Sequence, residues 1–276
     1  MEPTQSTPLP SRGNISDGAI QHLDCATQSD SVLIGDTFAT YLMAIDGETA
    51  IVKMEDYPVS GRKNTRVYRE YLAFRLASRV GLDVPNTSLR RSPQYGRMSI
   101  QRYIHGATEP LPQLLDYLLL RPLGMRIVLF DILCGNHDRK PNHLLQHGAL
   151  IIPIDFNTAF QLTSTVGTFK EEVDAIFARW FRIRNILSLT AAHRSVLLGE
   201  ARRMVTLLDN SLLRACLAEI PRPFCGPTEL EQVRTFLSAR RDALCDSALK
   251  WWDENVAPLH VFDPEVLALT AREHIR

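Results

Sequence analysis

The sequence predicts an α+β protein of two lobes, a small β-rich N-terminal one and a mostly helical C-terminal one. Three observations lead there. Apolar stretches rich in β-branched residues flank the dipeptide Asp46-Gly47, a strand–strand–helix–strand–strand order closes at Gly106, and helix signals dominate from residue 112 onward. A chain of 276 residues suits one large domain or two lobes sharing an interface, because single cores stop growing near ~250–300 residues.

Residues 1–30 are rich in Ser, Thr, Pro, Gly and Gln, with isolated apolar residues and no period. Such a stretch cannot offset the entropy of ordering and is expected as a disordered arm. From residue 31 the texture changes. SVLI and ATYLMAIDGETAIVKM surround Asp46-Gly47, a dipeptide suited to a tight hairpin turn. Residues 65–81 then set Val67, Tyr71, Phe74, Leu76 and Val80 at largely helical spacing, with Gly81 as the stop. Two more strands are expected at 87–90 and 97–104, so that 31–105 forms the small lobe. In the helical lobe, 106–276, the segment 112–134 reads as helix broken near Arg121-Pro122. GNHDRKPN follows as a polar loop, and ALIIPI as a short buried strand ending at Asp155. Thr228 with Glu231 matches a capping box ahead of a long helix through Trp252, and Asp263-Pro264 matches an N-cap followed by Pro. Trp251 and Trp252 are expected in a core or an interface.

Lys+Arg (31) and Asp+Glu (31) cancel, so the basic footprint of a nucleic-acid binder is missing and any phosphate-rich partner must be held locally. The most apolar run, 114–134, is interrupted by Asp116, Arg121, Pro122, Arg126 and Asp131, whereas a membrane span needs ~20 mostly apolar residues. Five scattered cysteines without a CxxC pair predict a reduced, cytoplasmic chain without structural zinc. His137, His143 and His147 invite a metal reading, but zinc wants three or four converging ligands and a supporting shell. The arm lacks the basic start and apolar core of a secretory signal; Ser/Thr-rich leaders of this kind also precede bacterial proteins exported by dedicated injection systems.

The segment GNHDRKPNHLLQHGALIIPIDFNTAF places Asp138, Asn142 and Asp155 in one loop–strand–loop unit. Phosphoryl transfer asks a protein to position a hydroxyl, to neutralise phosphates with magnesium and to orient the phosphate chain. A carboxylate near the nucleophile, with an Asn and an Asp as hard oxygen ligands, meets the first two needs. Lys53, charged inside the apolar strand AIVKM, needs a partner, and Glu70 on the following helix is the candidate. Each residue also has a plain counterpart: a solvated Asp-Arg turn, an Asp capping the turn after a strand, a Lys snorkelling from an edge.

Lys in a strand, the helix REYLAFRLASRVGLDVP, the strand end IQRYIHG, then GN-x-DR, Asn, and an Asp after an apolar strand resemble the HipA-like kinases. These belong with the phosphoinositide kinases to the protein-kinase-like superfamily. The resemblance runs over residues ~32–160 and extends to EIPRPF and the helix containing FLSARRDAL. It implies a bilobal protein-kinase-like fold with ATP and Mg²⁺ between the lobes, Asp138 accepting or orienting the substrate hydroxyl, and Asn142 and Asp155 as magnesium ligands. Lys53 and Glu70 would be the ion pair over the α- and β-phosphates. Gln101 and the backbone at Arg102, Tyr103 and Ile104 would meet the adenine, and residues 35–39 would cover the phosphates. Asn142 falls one residue short of the family's usual distance from the catalytic Asp, and Asn157 stands where protein kinases carry Gly.

The expected activity is transfer of the γ-phosphoryl of ATP to a Ser or Thr hydroxyl of a protein. A phosphoinositide kinase and a nucleotide-binding pseudokinase are the rivals. A lipid enzyme would use a basic mouth such as Arg62, Lys63, Arg66 and Arg69, which also reads as a solvated helix start. Ser164, Thr165 and Thr168 lie where an activation segment would be phosphorylated. The resemblance also permits a regulatory partner protein of toxin–antitoxin type.

Overall fold

The computed structural model describes residues 32–33, 40–56, 66–162, 168–181 and 186–260. The arm at 1–30, the turn at 35–39, Arg62, Lys63, Ser164, Thr165 and the Asp263-Pro264 pair lie outside the described residues.

Strands β2 (Thr40–Ile45) and β3 (Glu48–Met54) pair antiparallel from Ile45 opposite Glu48 to Thr40 opposite Lys53. Their turn is Asp46-Gly47, with φ of 51° and 82°, the doubly positive geometry that suits the twist of a hairpin. β1 (Val32–Leu33) lies beside β2, while β5 (Gly96–Arg102) and then β4 (Thr87–Ser92) extend the other side. The antiparallel order is β1-β2-β3-β5-β4. Ala50, Val52 and Met54 pack with Met43, Ile45, Tyr95, Met98 and Ile100 in a small core. Ile51 and Lys53 therefore point to the opposite face, beside their cross-strand partners Gln101 and Ser99. A slip of one residue would exchange the two sets.

Helix α1 (Val67–Arg79) packs against β4 and β5. No side chain of its own N-cap satisfies its first turn. Instead Glu55, just past β3, accepts the Val67 N–H at 3.2 Å and pairs with Arg66 at 2.9 Å and Arg97 at 3.1 Å. The outer side of α1 is tied to the C-terminal part. Arg75 holds Glu219 through two bonds at 2.5 and 2.9 Å, and Tyr68 donates to Glu229 at 2.6 Å.

The rest of the described chain is mostly helical: α2 (Pro112–Leu119), α3 (Pro122–Cys134), α4 (Phe169–Trp180), α5 (Ala191–Leu207), α6 (Asn210–Ala218) and α7 (Pro227–Asn255). The break at Arg121 falls where expected, each flanking helix starting on a proline. α3 is buried on all sides from Ile127 to Cys134, as an all-round apolar helix should be. It ends on Gly135 at φ 67°, where an added Cβ would lie 3.2 Å from Phe236. The hairpin β6 (Leu144–His147) and β7 (Leu150–Pro153) follows. Only β7 was expected; β6 is half polar and reads as loop until it pairs.

One capping expectation changes. α7 begins at Pro227 behind Gly226 with no side-chain cap, because Glu231 pairs with Arg234 at 2.5 Å instead of reaching back to Thr228. A capping box does form at Thr168 and Glu171, which gives Thr168 the job of starting α4. Trp251 and Trp252 are core residues, Trp251 stacking on Phe177 at 3.9 Å between centroids.

α4 and α7 are joined by a buried pair, Glu172 with Arg240, whose guanidinium also bonds the Ile132 carbonyl at 2.8 Å and lies over the Phe236 ring. Glu172→Ala strands that cation and is expected to lower the unfolding free energy by about 3–5 kcal/mol in urea. Breaking the exposed pair of Arg194 and Asp253 is expected to change it by less than about 1 kcal/mol.

Candidate active site

Three elements meet at Lys53. β3 presents it on the face that α1 covers, Glu70 sits in the first turn of α1, and Asp155 follows β7. Lys53 Nζ lies 2.6 Å from Glu70 Oε1, 3.2 Å from Asp155 Oδ1 and 3.0 Å from Asn157 Oδ1. Lys53 and Glu70 are buried, whereas the Asp155 side chain keeps 29% of its exposure. The cluster thus opens to solvent at Asp155. That residue sits at φ 57°, a left-handed conformation uncommon outside glycine and held here by its surroundings.

Burial by itself would lower Lys53, but Asp155 and then Glu70 more than reverse this and hold it above its ordinary value. Burial lifts Glu70, with Lys53 pulling against it and Asp155 adding to the lift. Burial also acts to raise Asp155, yet Lys53 and His143 keep it below the usual carboxylate range. Gln101 is buried beside Glu70, and its side chain acts with Lys53 to lower the Glu70 pKa against burial.

A rigid scaffold underlies the loop at 135–143. Asp131 is wholly buried in α3 and accepts from Arg139 at 2.9 and 3.0 Å, from Asn136 at 2.8 Å and from the Trp180 indole at 3.2 Å. Arg139 also bonds the carbonyls of His143 and Ile154 and stacks 4.5 Å from the Phe156 ring centroid. Thr158 donates to Asn136 at 2.6 Å, and the Phe160 N–H donates to the Cys134 carbonyl at 2.8 Å. The Asp138 loop and the Asp155 turn are therefore fastened to each other. Asp138 itself is half-exposed, 3.3 Å from Lys140 and 3.6 Å from Arg179.

Asn142 lies in the short 3₁₀ turn Pro141–His143 and is exposed. The side chain of this turn that reaches Asp155 is His143, its Nε2 3.4 Å from Oδ2. Burial lowers the His143 pKa, with Asp155 opposing. At the connection between sheet and helices, the Arg102 and Tyr103 N–H groups donate to Asn86 and Thr49, and the Ile104 carbonyl accepts from Ala107.

Sequence reasoning thus paired Lys53 with Glu70, and the resemblance added Asp155; His143 was weighed only as a zinc ligand, Asn157 was noted only where kinases carry Gly, and the Asp131 scaffold was missed. A signal for Asp131 was present: a lone carboxylate inside IVLFDILC needs a partner, and Arg139 lies in the next loop. Among the described residues no group of three or more His, Cys, Asp or Glu is placed to hold a metal ion. No helix among them is long and apolar enough to cross a membrane.

Because Lys53 is held above 10.5, the stability that it supplies is complete below that pH and is lost as pH climbs through its higher folded value. Unfolding free energies of wild type and Lys53→Met, measured in urea from pH 8 upward, are expected to converge above 10.5.

No family model matches the chain, and no curated protein matches it. Among solved structures, it is similar to the Helicobacter pylori proinflammatory kinase CtkA, at 16% identity and a TM-score of 0.53, over 78% of this chain and 94% of that one. HipA of Shewanella oneidensis, solved with HipB and operator DNA, matches at 13% identity and a TM-score of 0.45 over 88% and 70% of the two chains. An N-terminal fragment of LepB from Legionella pneumophila gives 13% and 0.47 over 72% and 45%. The likeness to CtkA carries the argument, and it concerns the fold alone: this chain folds as that kinase does, a β-sheet region followed by a mostly helical part, with Lys53, Glu70 and Asp155 where the two meet.

Proposed function

We propose that the chain is an ATP- and Mg²⁺-dependent phosphotransferase of HipA-like type that phosphorylates Ser or Thr hydroxyls of a protein. The observation that carries this reading is the ammonium of Lys53, buried between Glu70 and Asp155 at 2.6 and 3.2 Å with Asp155 left partly open. A side chain so held keeps a positive charge in place, and release of its weaker bond to Asp155 or Asn157 frees a donor for a phosphate oxygen.

The residues fit a nucleotide-bound cation. Asp155 gives Lys53 one oxygen and turns the other away from it, so a hard donor remains. Asn142, implied as a second ligand by the resemblance, is exposed in the neighbouring turn. Bound magnesium would neutralise charge on the phosphates. Lys53 orients the phosphate chain and Glu70 fixes Lys53. Gln101 backs Glu70, while Tyr103 and Ile104 offer a carbonyl and an N–H to the adenine edge. Asp138, half-exposed and only loosely paired, accepts or orients the hydroxyl proton, and Lys140 beside it steadies the phosphoryl group in transit. The similarity in fold to a kinase supports this reading without naming the acceptor.

The test is ADP release from Mg²⁺–ATP with a generic protein acceptor. Asp138→Ala, and Asp155→Asn, which keeps an oxygen for Lys53, are each expected to reduce turnover by about 10²–10⁴-fold, with the fold of each variant checked by circular dichroism. Turnover only on phosphoinositide vesicles would move the acceptor to a lipid. A magnesium-dependent thermal shift with ATP but no turnover on any acceptor would make the chain a nucleotide-binding pseudokinase.

A further inference from the structure

The 3₁₀ turn that exposes Asn142 ends on His143, at the spacing from Asp138 where kinases of this superfamily usually carry Asn. The His143 main chain is fixed on both sides. Its carbonyl accepts from the Ile154 N–H at 2.9 Å and from Arg139 at 3.2 Å, and its N–H donates to the Lys140 carbonyl at 3.0 Å. That frame sets Nε2 3.4 Å from Asp155 Oδ2, while Lys53 holds Oδ1 at 3.2 Å. A charge-assisted hydrogen bond would be shorter, about 2.7–2.9 Å. Two donors bound side by side to one cation, each at about 2.0–2.2 Å and separated by about 90–110°, stand about 3.0–3.5 Å apart. The imidazole is 9% exposed, and its Nδ1 has no hydrogen-bond partner.

Building on the phosphotransfer reading above, we propose that His143 Nε2 and Asp155 Oδ2 form the protein's half of the divalent-cation site, and that this nitrogen donor turns its preference from Mg²⁺ toward Mn²⁺. Mg²⁺ takes oxygen ligands and sheds water reluctantly, whereas first-row transition cations accept imidazole readily. Asn142, exposed and beside the pair, is then dispensable for cation binding. The remaining positions are filled by phosphate oxygens and water, in keeping with a cluster too small to hold an ion by itself.

The experiment uses the full chain with Mn²⁺ and a non-hydrolysable ATP analogue. Mn²⁺ binding is followed by electron paramagnetic resonance, with Mg²⁺ as competitor, and directly bound nitrogen is detected by spin-echo modulation. Wild type is expected to show histidine-nitrogen modulation. His143→Asn, which keeps an oxygen donor and so retains a site, should lose that modulation and lower the Mn²⁺-over-Mg²⁺ selectivity by about tenfold or more. Asn142→Ala should leave both unchanged. Modulation and selectivity that survive His143→Asn, or that are lost in Asn142→Ala, overturn the assignment while nucleotide binding stands. Failure of wild type to bind the analogue with either cation sinks the phosphotransfer reading and this proposal together.

Discussion

One ammonium shared between two carboxylates is the interaction on which the site depends. A buried Lys53 alone would be expelled or neutralised, and a buried Glu70 alone would take up a proton. At 2.6 Å they compensate each other, and Asp155 joins from the far side of the chain. The cluster has one carboxylate more than it has ammonium groups. Burial lifts Glu70 and the excess adds to that lift, while Asp155 keeps a partial opening to solvent. It also links β3, α1 and the turn after β7, so the sheet and the helices cannot move apart without separating buried charges.

A second set of buried charges makes that junction stiff. Asp131 gathers Arg139, Asn136 and Trp180 beneath the loop, and Arg139 passes the constraint on through the carbonyls of His143 and Ile154. Asp138 and Asp155 thus ride on opposite ends of one hydrogen-bonded frame. Such a frame fixes the distance between two side chains better than either loop could by itself.

α1 is fixed at both ends and along its outer side. Glu55 holds its N-terminus from the sheet, while Glu219 and Glu229 hold Arg75 and Tyr68 from the C-terminal part. Since Glu70 lies in the first turn of this helix, contacts far along the chain set the position of the ion pair. The segment around EIPRPF, recognised by resemblance alone, acquires a physical role: it carries Glu219 and precedes Glu229.

The amino-acid sequence by itself determined the hairpin, because Asp46-Gly47 accepts two positive φ angles, and α1, because its apolar residues recur at helical spacing. The pairing of Lys53 with Glu70 was legible for a related reason: a charge inside an apolar strand must find its partner, and one acid followed on the next helix. β6 was not legible, since a short half-polar strand is defined by its hydrogen-bonded neighbour and not by its own pattern. Nor was it legible that His143 would lie beside Asp155, because proximity across the chain leaves no mark in a linear pattern. Tertiary structure set it: with its carbonyl held by Ile154 and Arg139, His143 places Nε2 3.4 Å from Asp155 Oδ2.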